Sequence, residues 1–165
     1  MANQASSERL QPSLLDRLTD LRPEAKTDNR DEAFLSVNRL RDIVKRDLAS
    51  LLNTNNNESF IDEEKFPNIG KSVLNYGLRD VSGSFSTANR ASEMQEAIEK
   101  AIVLFEPRII KDTIYVEVMS DEIANGTIAT FDIQADMWAD GSVIELYFRS
   151  KVDFKTGQLI LDRKG

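Results

Sequence analysis

The sequence predicts an α+β fold, with N-terminal helices packed on a C-terminal four-stranded antiparallel meander. Up to Phe105, apolar residues recur at spacings of three and four, the period of a helix buried along one stripe. Beyond Pro107 they recur at every second residue, the period of a strand with one buried face. Helices first and strands afterwards give two layers, with the helices covering one face of a single sheet.

The elements follow in order. Residues 1–12 read as a disordered tail, and residues 13–165 as one domain. Ser13-Leu14-Leu15-Asp16-Arg17-Leu18 forms a short apolar turn, either a helix packed on its own core or a docking peptide for a partner. Asn29 and Glu32 have the spacing of a capping box, so a helix is expected from there to about Leu52. Val37, Leu40, Val44, Leu48 and Leu51 mark its buried stripe, while Arg39, Arg41, Asp42, Lys45, Arg46 and Asp47 lie on solvated faces. A polar connection, 53–66, precedes Pro67, which suits the opening of a short helix over 68–76 with Gly77 as its left-handed cap. After a second loop, Ala91, Met94, Ile98, Ala101, Ile102 and Phe105 stripe a helix from about Thr87 to Phe105. Pro107 stops it and biases Glu106 toward extended backbone.

Four strands are expected at about 109–119, 127–137, 142–152 and 158–162. Their inward rows are Ile114, Val116 and Val118; Phe131, Ile133, Ala135 and Met137; and Ile144, Leu146 and Phe148. Asn125-Gly126, Asp140-Gly141 and the segment 153–157 supply the turns.

Composition narrows the chemistry. The 165 residues include 28 acidic and 21 basic side chains, a formal charge of −7, with neither histidine nor cysteine. Disulfides, thiolate nucleophiles, Cys/His zinc sites and imidazole bases are therefore excluded. The acidic balance opposes a general nucleic-acid binder, so no nucleic acid is expected as a partner. No apolar run approaches the length of a membrane span, and the first nine residues are not a basic stretch followed by a hydrophobic one. The chain is expected in the cytoplasm without direct membrane insertion. Gly70, Gly77 and Gly83 have neither dinucleotide nor P-loop spacing, and no cofactor or metal is implied. A carboxylate-pair hydrolase survives the composition, but no acid pair stands out from the 28.

The local feature that does stand out is Glu106-Pro107-Arg108, between the last helix and the first strand. In an extended segment, residues two apart point the same way, so Glu106 and Arg108 would project opposite charges from a backbone stiffened by Pro107. Read alone, this is a helix stop carrying two solvated charges.

Three ordered motifs add to that reading: Ser13-Leu14-Leu15-Asp16-Arg17-Leu18, then Ser72-Val73-Leu74-Asn75-Tyr76-Gly77-Leu78 with Ser82-Gly83, then Glu106-Pro107-Arg108. In this order they resemble the TssE family of type VI secretion baseplates, which is similar to the baseplate wedge protein of contractile phage tails. The resemblance covers roughly residues 13–162. It implies a structural, non-enzymatic baseplate component that assembles the wedge and nucleates contractile sheath polymerisation. Its partners would be other baseplate subunits and the sheath. It also implies that Glu106, Pro107 and Arg108 form a partner-binding element, in which charge-assisted hydrogen bonds reach neighbouring subunits and the proline fixes their direction. Phage relatives carry a lysozyme-like label, which keeps a peptidoglycan hydrolase as one alternative. Against it, the positive charge of Arg108 favours an ionised Glu106, whereas a general acid must hold its proton. A regulatory anti-adaptor of similar fold is the other alternative.

Overall fold

The computed structural model describes residues 13–19, 23–24, 36–62, 64–79, 90–119, 128–139 and 142–164. Three α-helices, α1 (Leu14–Leu18), α2 (Val37–Leu52) and α3 (Arg90–Phe105), precede four strands, β1 (Tyr115–Met119), β2 (Ile128–Ala139), β3 (Ser142–Asp153) and β4 (Leu159–Arg163). The strands form one antiparallel sheet in the order β1-β2-β3-β4, the meander expected from the period-two pattern. Helix α2 packs on β3 and β4, α3 packs on β1, and the two helices touch. A continuous apolar core fills the space between the layers. Val44, Leu48, Ile98 and Ile102 from the helices meet Phe131, Ile133, Met137 and Phe148 from the sheet.

The strand register accounts for both faces. Val116 pairs with Ile133, and Ile133 with Phe148, so the expected inward rows align across the sheet. Ser150 is also in an inward row and fully buried, and its hydroxyl has no hydrogen-bond partner. Ala139 pairs with Ser142, so only positions 140 and 141 join β2 to β3. In the last turn Gly157 takes φ +71, Gly157 N–H donates to Asp153 O (2.8 Å), and Lys155 N–H donates to Asp153 Oδ1 (2.8 Å).

Four expectations are corrected. Helix α2 starts at Val37, because Ser36 is extended (ψ 155) and its hydroxyl accepts from Arg39 N–H (3.2 Å), which is an N-cap. Val37, placed in the buried stripe, is exposed. The proposed Asn29/Glu32 box lies outside the described residues, as do the 1–12 tail, Thr87, Asn125-Gly126 and Asp140-Gly141.

Second, the segment after Pro67 is not a helix over 68–76 but two 3₁₀ turns, Ile69–Lys71 and Val73–Asn75. The extended Ser72 (ψ 166) breaks it, and its hydroxyl starts the second turn by accepting from Leu74 N–H. Buried Asn75 then locks the loop: its Oδ1 accepts from Asn57 N–H (3.2 Å), and its Nδ2 donates to Gly70 O (3.1 Å). Gly77 does take a positive φ, +119, for a more stringent reason than a helix cap. A Cβ there would lie 2.1 Å from Thr54 O, where the chain forms a parallel bridge between Asn55 and Leu78.

Third, β1 begins at Tyr115 rather than 109. The 3₁₀ turn Lys111–Thr113 interrupts the strand, and the Thr113 hydroxyl closes it by donating to Ile110 O and accepting from Asp136 N–H, both at 2.8 Å. The stretch before the turn still follows β2, through an Ile109↔Met137 bridge.

Fourth, α1 does not pack on the core. None of its residues is buried, and Leu14, Leu15 and Leu18 face solvent.

Candidate functional site

Helix α3 carries the chain to the Glu-Pro-Arg element. Glu106 N–H still donates to Ile102 O (3.0 Å), but Pro107 has no N–H with which to continue. The chain turns instead: Ile109 N–H donates to Glu106 O (3.2 Å), closing a four-residue turn with proline at its second position, where its fixed φ fits. Ile109 is thereby delivered into the core. The extended 106–108 segment that would project both charges outward is replaced by this turn, which folds Arg108 back over Glu106.

The two side chains meet as a two-pronged ion pair. Arg108 Nε donates to Glu106 Oε1 (2.7 Å) and Nη2 to Oε2 (2.5 Å), while Arg108 N–H adds a bond to Oε1 (3.2 Å). Glu106 is only 6% exposed, so these donors compensate for the water it has lost. The Arg108 side chain remains 28% exposed, and Pro107 is exposed. Arg108 holds its proton more tightly than a free arginine, first because of the hydrogen bonds to Glu106 and then through the nearby Asp47.

The pair is part of a longer relay. Arg108 Nη2 also donates to Asp47 Oδ2 (2.7 Å) on α2, and Asp47 Oδ1 accepts from Arg46 Nε (2.9 Å) and Nη2 (2.7 Å). Arg46 Nη1 reaches Asp16 Oδ1 on α1 (2.6 Å), and Asp16 also accepts from the Ser13 hydroxyl. The bonds from Arg46 hold the Asp16 carboxyl below the usual aspartate range. Charges thus alternate from Glu106 through Arg108, Asp47 and Arg46 to Asp16. Beside the relay, Tyr76 stacks edge-on against Phe105 (5.4 Å), and burial raises its phenol above the ordinary value.

The turn borders an exposed apolar pair. Trp138 N–H donates to Arg108 O (3.1 Å), and the Trp138 side chain, 62% exposed, faces exposed Val143 across the β2–β3 hairpin. Pro107, the outer side of Arg108, Trp138 and Val143 therefore lie at one end of the sheet.

A second polar centre occupies the sheet face away from the helices. Buried Asp132 accepts from Arg149 Nε (2.7 Å) and Nη2 (2.9 Å), from the Tyr147 hydroxyl (3.0 Å) and from Lys164 Nζ (3.2 Å). The bonds from Arg149 are the main reason its carboxyl lies well below the usual range. Lys164 Nζ also donates to the Tyr147 hydroxyl (2.8 Å), and Lys164 N–H to Tyr147 O (3.0 Å), which fastens the residue after β4 to β3.

Of these residues, the sequence marks Glu106, Pro107 and Arg108 as the partner-binding element, and Ser13, Asp16 and Tyr76 fall within its two other ordered motifs. Asp47 and Arg46 had been placed on a solvated helix face, and no local pattern links Asp47 to an arginine 61 residues away. Asp132 and Arg149 carried a usable signal, since the hairpin register places them directly opposite each other on the outward rows. Among the described residues, no group of three or more acidic side chains is placed to hold a metal ion. Nor is any helix long and apolar enough to cross a membrane.

The two-pronged ion pair and the exposed apolar pair Trp138 and Val143 lie together on a helix-backed sheet. The model of the family described as baseplate wedge protein gp25 matches residues 38–142, more than half of the chain, and the chain belongs to that family. Membership gives it a structural role in a baseplate of phage-tail type, in association with other baseplate components. The matched segment contains the Glu106–Arg108 turn and Trp138, and it leaves out α1 and nearly all of β3 and β4. No curated protein and no solved structure matches the chain significantly.

Proposed function

We propose that the chain is a non-enzymatic subunit of a type VI secretion baseplate in the cytoplasm, where it helps assemble the wedge and nucleates sheath polymerisation. Within the family it is the three ordered motifs of the sequence that favour the type VI branch. Glu106, Pro107 and Arg108 are the partner-binding element, with a division of labour. Glu106 is consumed inside the chain and sets the aim of the guanidinium, while Pro107, the outer side of Arg108 and Trp138 meet the neighbouring subunit. The observation that carries this reading is the two-pronged Glu106–Arg108 pair, which holds the turn in one shape before any partner arrives and so lowers the ordering cost of binding.

The sheet offers a place for the sheath. β4 pairs with β3 only from Val152 back to Phe148, and among the described residues no strand pairs with 142–146 on that side, where Arg41 Nε donates to Glu145 O (3.3 Å) and would have to release it. An extended segment of a sheath subunit could add there through main-chain hydrogen bonds.

The test is sheath assembly in cells, followed with a fluorescently tagged sheath subunit. Trp138→Ser and Arg108→Ala are expected to abolish assembly while the purified variants still fold. Normal sheaths in both strains would remove this surface from the mechanism. Release of soluble fragments from purified peptidoglycan by the wild-type protein, lost in Glu106→Gln, would replace this reading with the hydrolase.

A further inference from the structure

Helix α1 has its polarity reversed. At about 100° per residue, Leu14 and Leu18 lie ~40° apart on one face, and Asp16 lies ~200° from Leu14 on the other. Asp16 is the residue turned toward the protein: its side chain is 11% exposed and bound to Arg46 of α2. The leucines point away, with Leu14 71%, Leu15 60% and Leu18 75% exposed. Five residues are too few for a helix to persist in water on its own stability. This one is held by local bonds, Arg17 N–H to Ser13 O (3.0 Å) and the Thr19 hydroxyl to Leu15 O (2.7 Å), and by the Asp16–Arg46 pair.

We propose that α1 is a second docking element. Leu14, Leu15 and Leu18 insert into an apolar groove of a neighbouring baseplate subunit, one with carboxylates on its rim. The charge of the rim follows from what surrounds the leucines. Arg17 is exposed beside them. The one acid of the helix is already neutralised internally. An apolar patch flanked by an exposed arginine fits an apolar groove with carboxylates on its rim. The Asp16–Arg46–Asp47–Arg108 relay fixes α1 relative to the Glu-Pro-Arg turn, so that both elements can engage one assembly in a set geometry.

This inference rests on the baseplate reading, and the experiment separates the two. The full-length chain, carrying an affinity tag, is co-expressed with the other baseplate wedge subunits of the same cell, and its affinity for the purified wedge subcomplex is measured. Leu14→Ser/Leu18→Ser and Arg17→Glu are compared with wild type, with urea midpoints measured in parallel. The double variant is expected to bind at least roughly tenfold more weakly, because each leucine loses an apolar burial site. Its urea midpoint should stay unchanged, because neither leucine is buried in the free chain. Arg17→Glu should also weaken binding, and the effect should shrink in high salt. Wild-type binding by the double variant would overturn the docking role. A lowered midpoint would do the same by showing that α1 packs on its own core. So would a wild-type dimer in sedimentation that the double variant loses, since it would make the occupant a second copy. Failure of the wild-type chain to bind any wedge subunit would instead overturn the baseplate reading itself.

Discussion

Replacing Arg108 with alanine tests whether the Glu-Pro-Arg turn is held by its ion pair. The substitution removes both prongs to Glu106 and the bond to Asp47, and it leaves a carboxylate that is 6% exposed with one backbone donor, Arg108 N–H. Breaking a fully buried pair from one side costs about 3–5 kcal/mol, because the remaining charge is left without compensation. Here the arginine side chain is 28% exposed, so water can enter the space it vacates. A loss of about 2–3 kcal/mol is expected, which for an m-value of about 2 kcal/mol/M lowers the urea midpoint by roughly 1–1.5 M. Asp47→Ala removes only the outer partner and should cost less than about 1 kcal/mol. Combining Arg108→Ala with Glu106→Gln should recover part of the loss, since the orphaned charge disappears with its partner. Circular dichroism against urea, with m-values compared, is sufficient. An Arg108→Ala midpoint within roughly 0.25 M of wild type would refute the argument, because the pair would then not hold the turn.

Three further outcomes are expected. Gly77→Ala should cost about 3 kcal/mol, lowering the melting temperature by roughly 6–12 °C, because its methyl group would meet Thr54 O at 2.1 Å from a backbone at φ +119. Ser150→Ala should be neutral or stabilise by about 1 kcal/mol in the same melt, since the hydroxyl is buried without a partner. For Asp132 the folded carboxyl titrates below the unfolded one, so its stabilisation is present above the unfolded value and is lost as pH falls toward the depressed folded value. Urea unfolding of Asp132→Asn should therefore show a flatter decline of stability between about pH 5 and pH 2 than wild type does, and parallel declines would count against the network.

What could be read from the chain depended on the range of the interaction. The strands announced themselves because alternation is a local pattern with a single periodic partner, and Val116, Ile133 and Phe148 aligned as the pattern required. The stripe of α3 was equally plain, since Met94, Ile98, Ala101 and Ile102 are all buried. Misreadings occurred where a short polar contact outweighs propensity. Ser72 and Thr113 redirect the backbone with one hydroxyl each, which turned an expected helix into two 3₁₀ turns and shortened β1. For Leu14, Leu15 and Leu18 the pattern leaves core packing and a docking peptide both open, because hydrophobicity says that a side chain should be covered, not by which molecule. The Glu-Pro-Arg motif was visible, but its anchor was not: Asp47 reaches Arg108 only after α2 and α3 have packed together.

The two edges of the sheet are unequal. At the β1 edge, the Lys111–Thr113 turn breaks the strand and leaves a five-residue β1. At the other edge, β4 stops short, leaving the early part of β3 unmatched among the described residues. A kinked, short border is a poor template for another strand, whereas a longer border left partly unpaired, with Arg41 Nε donating to Glu145 O (3.3 Å), is a better one. Under the proposed sheath-seeding role, growth from this sheet would be one-sided, and the assembly would inherit its direction from the seed.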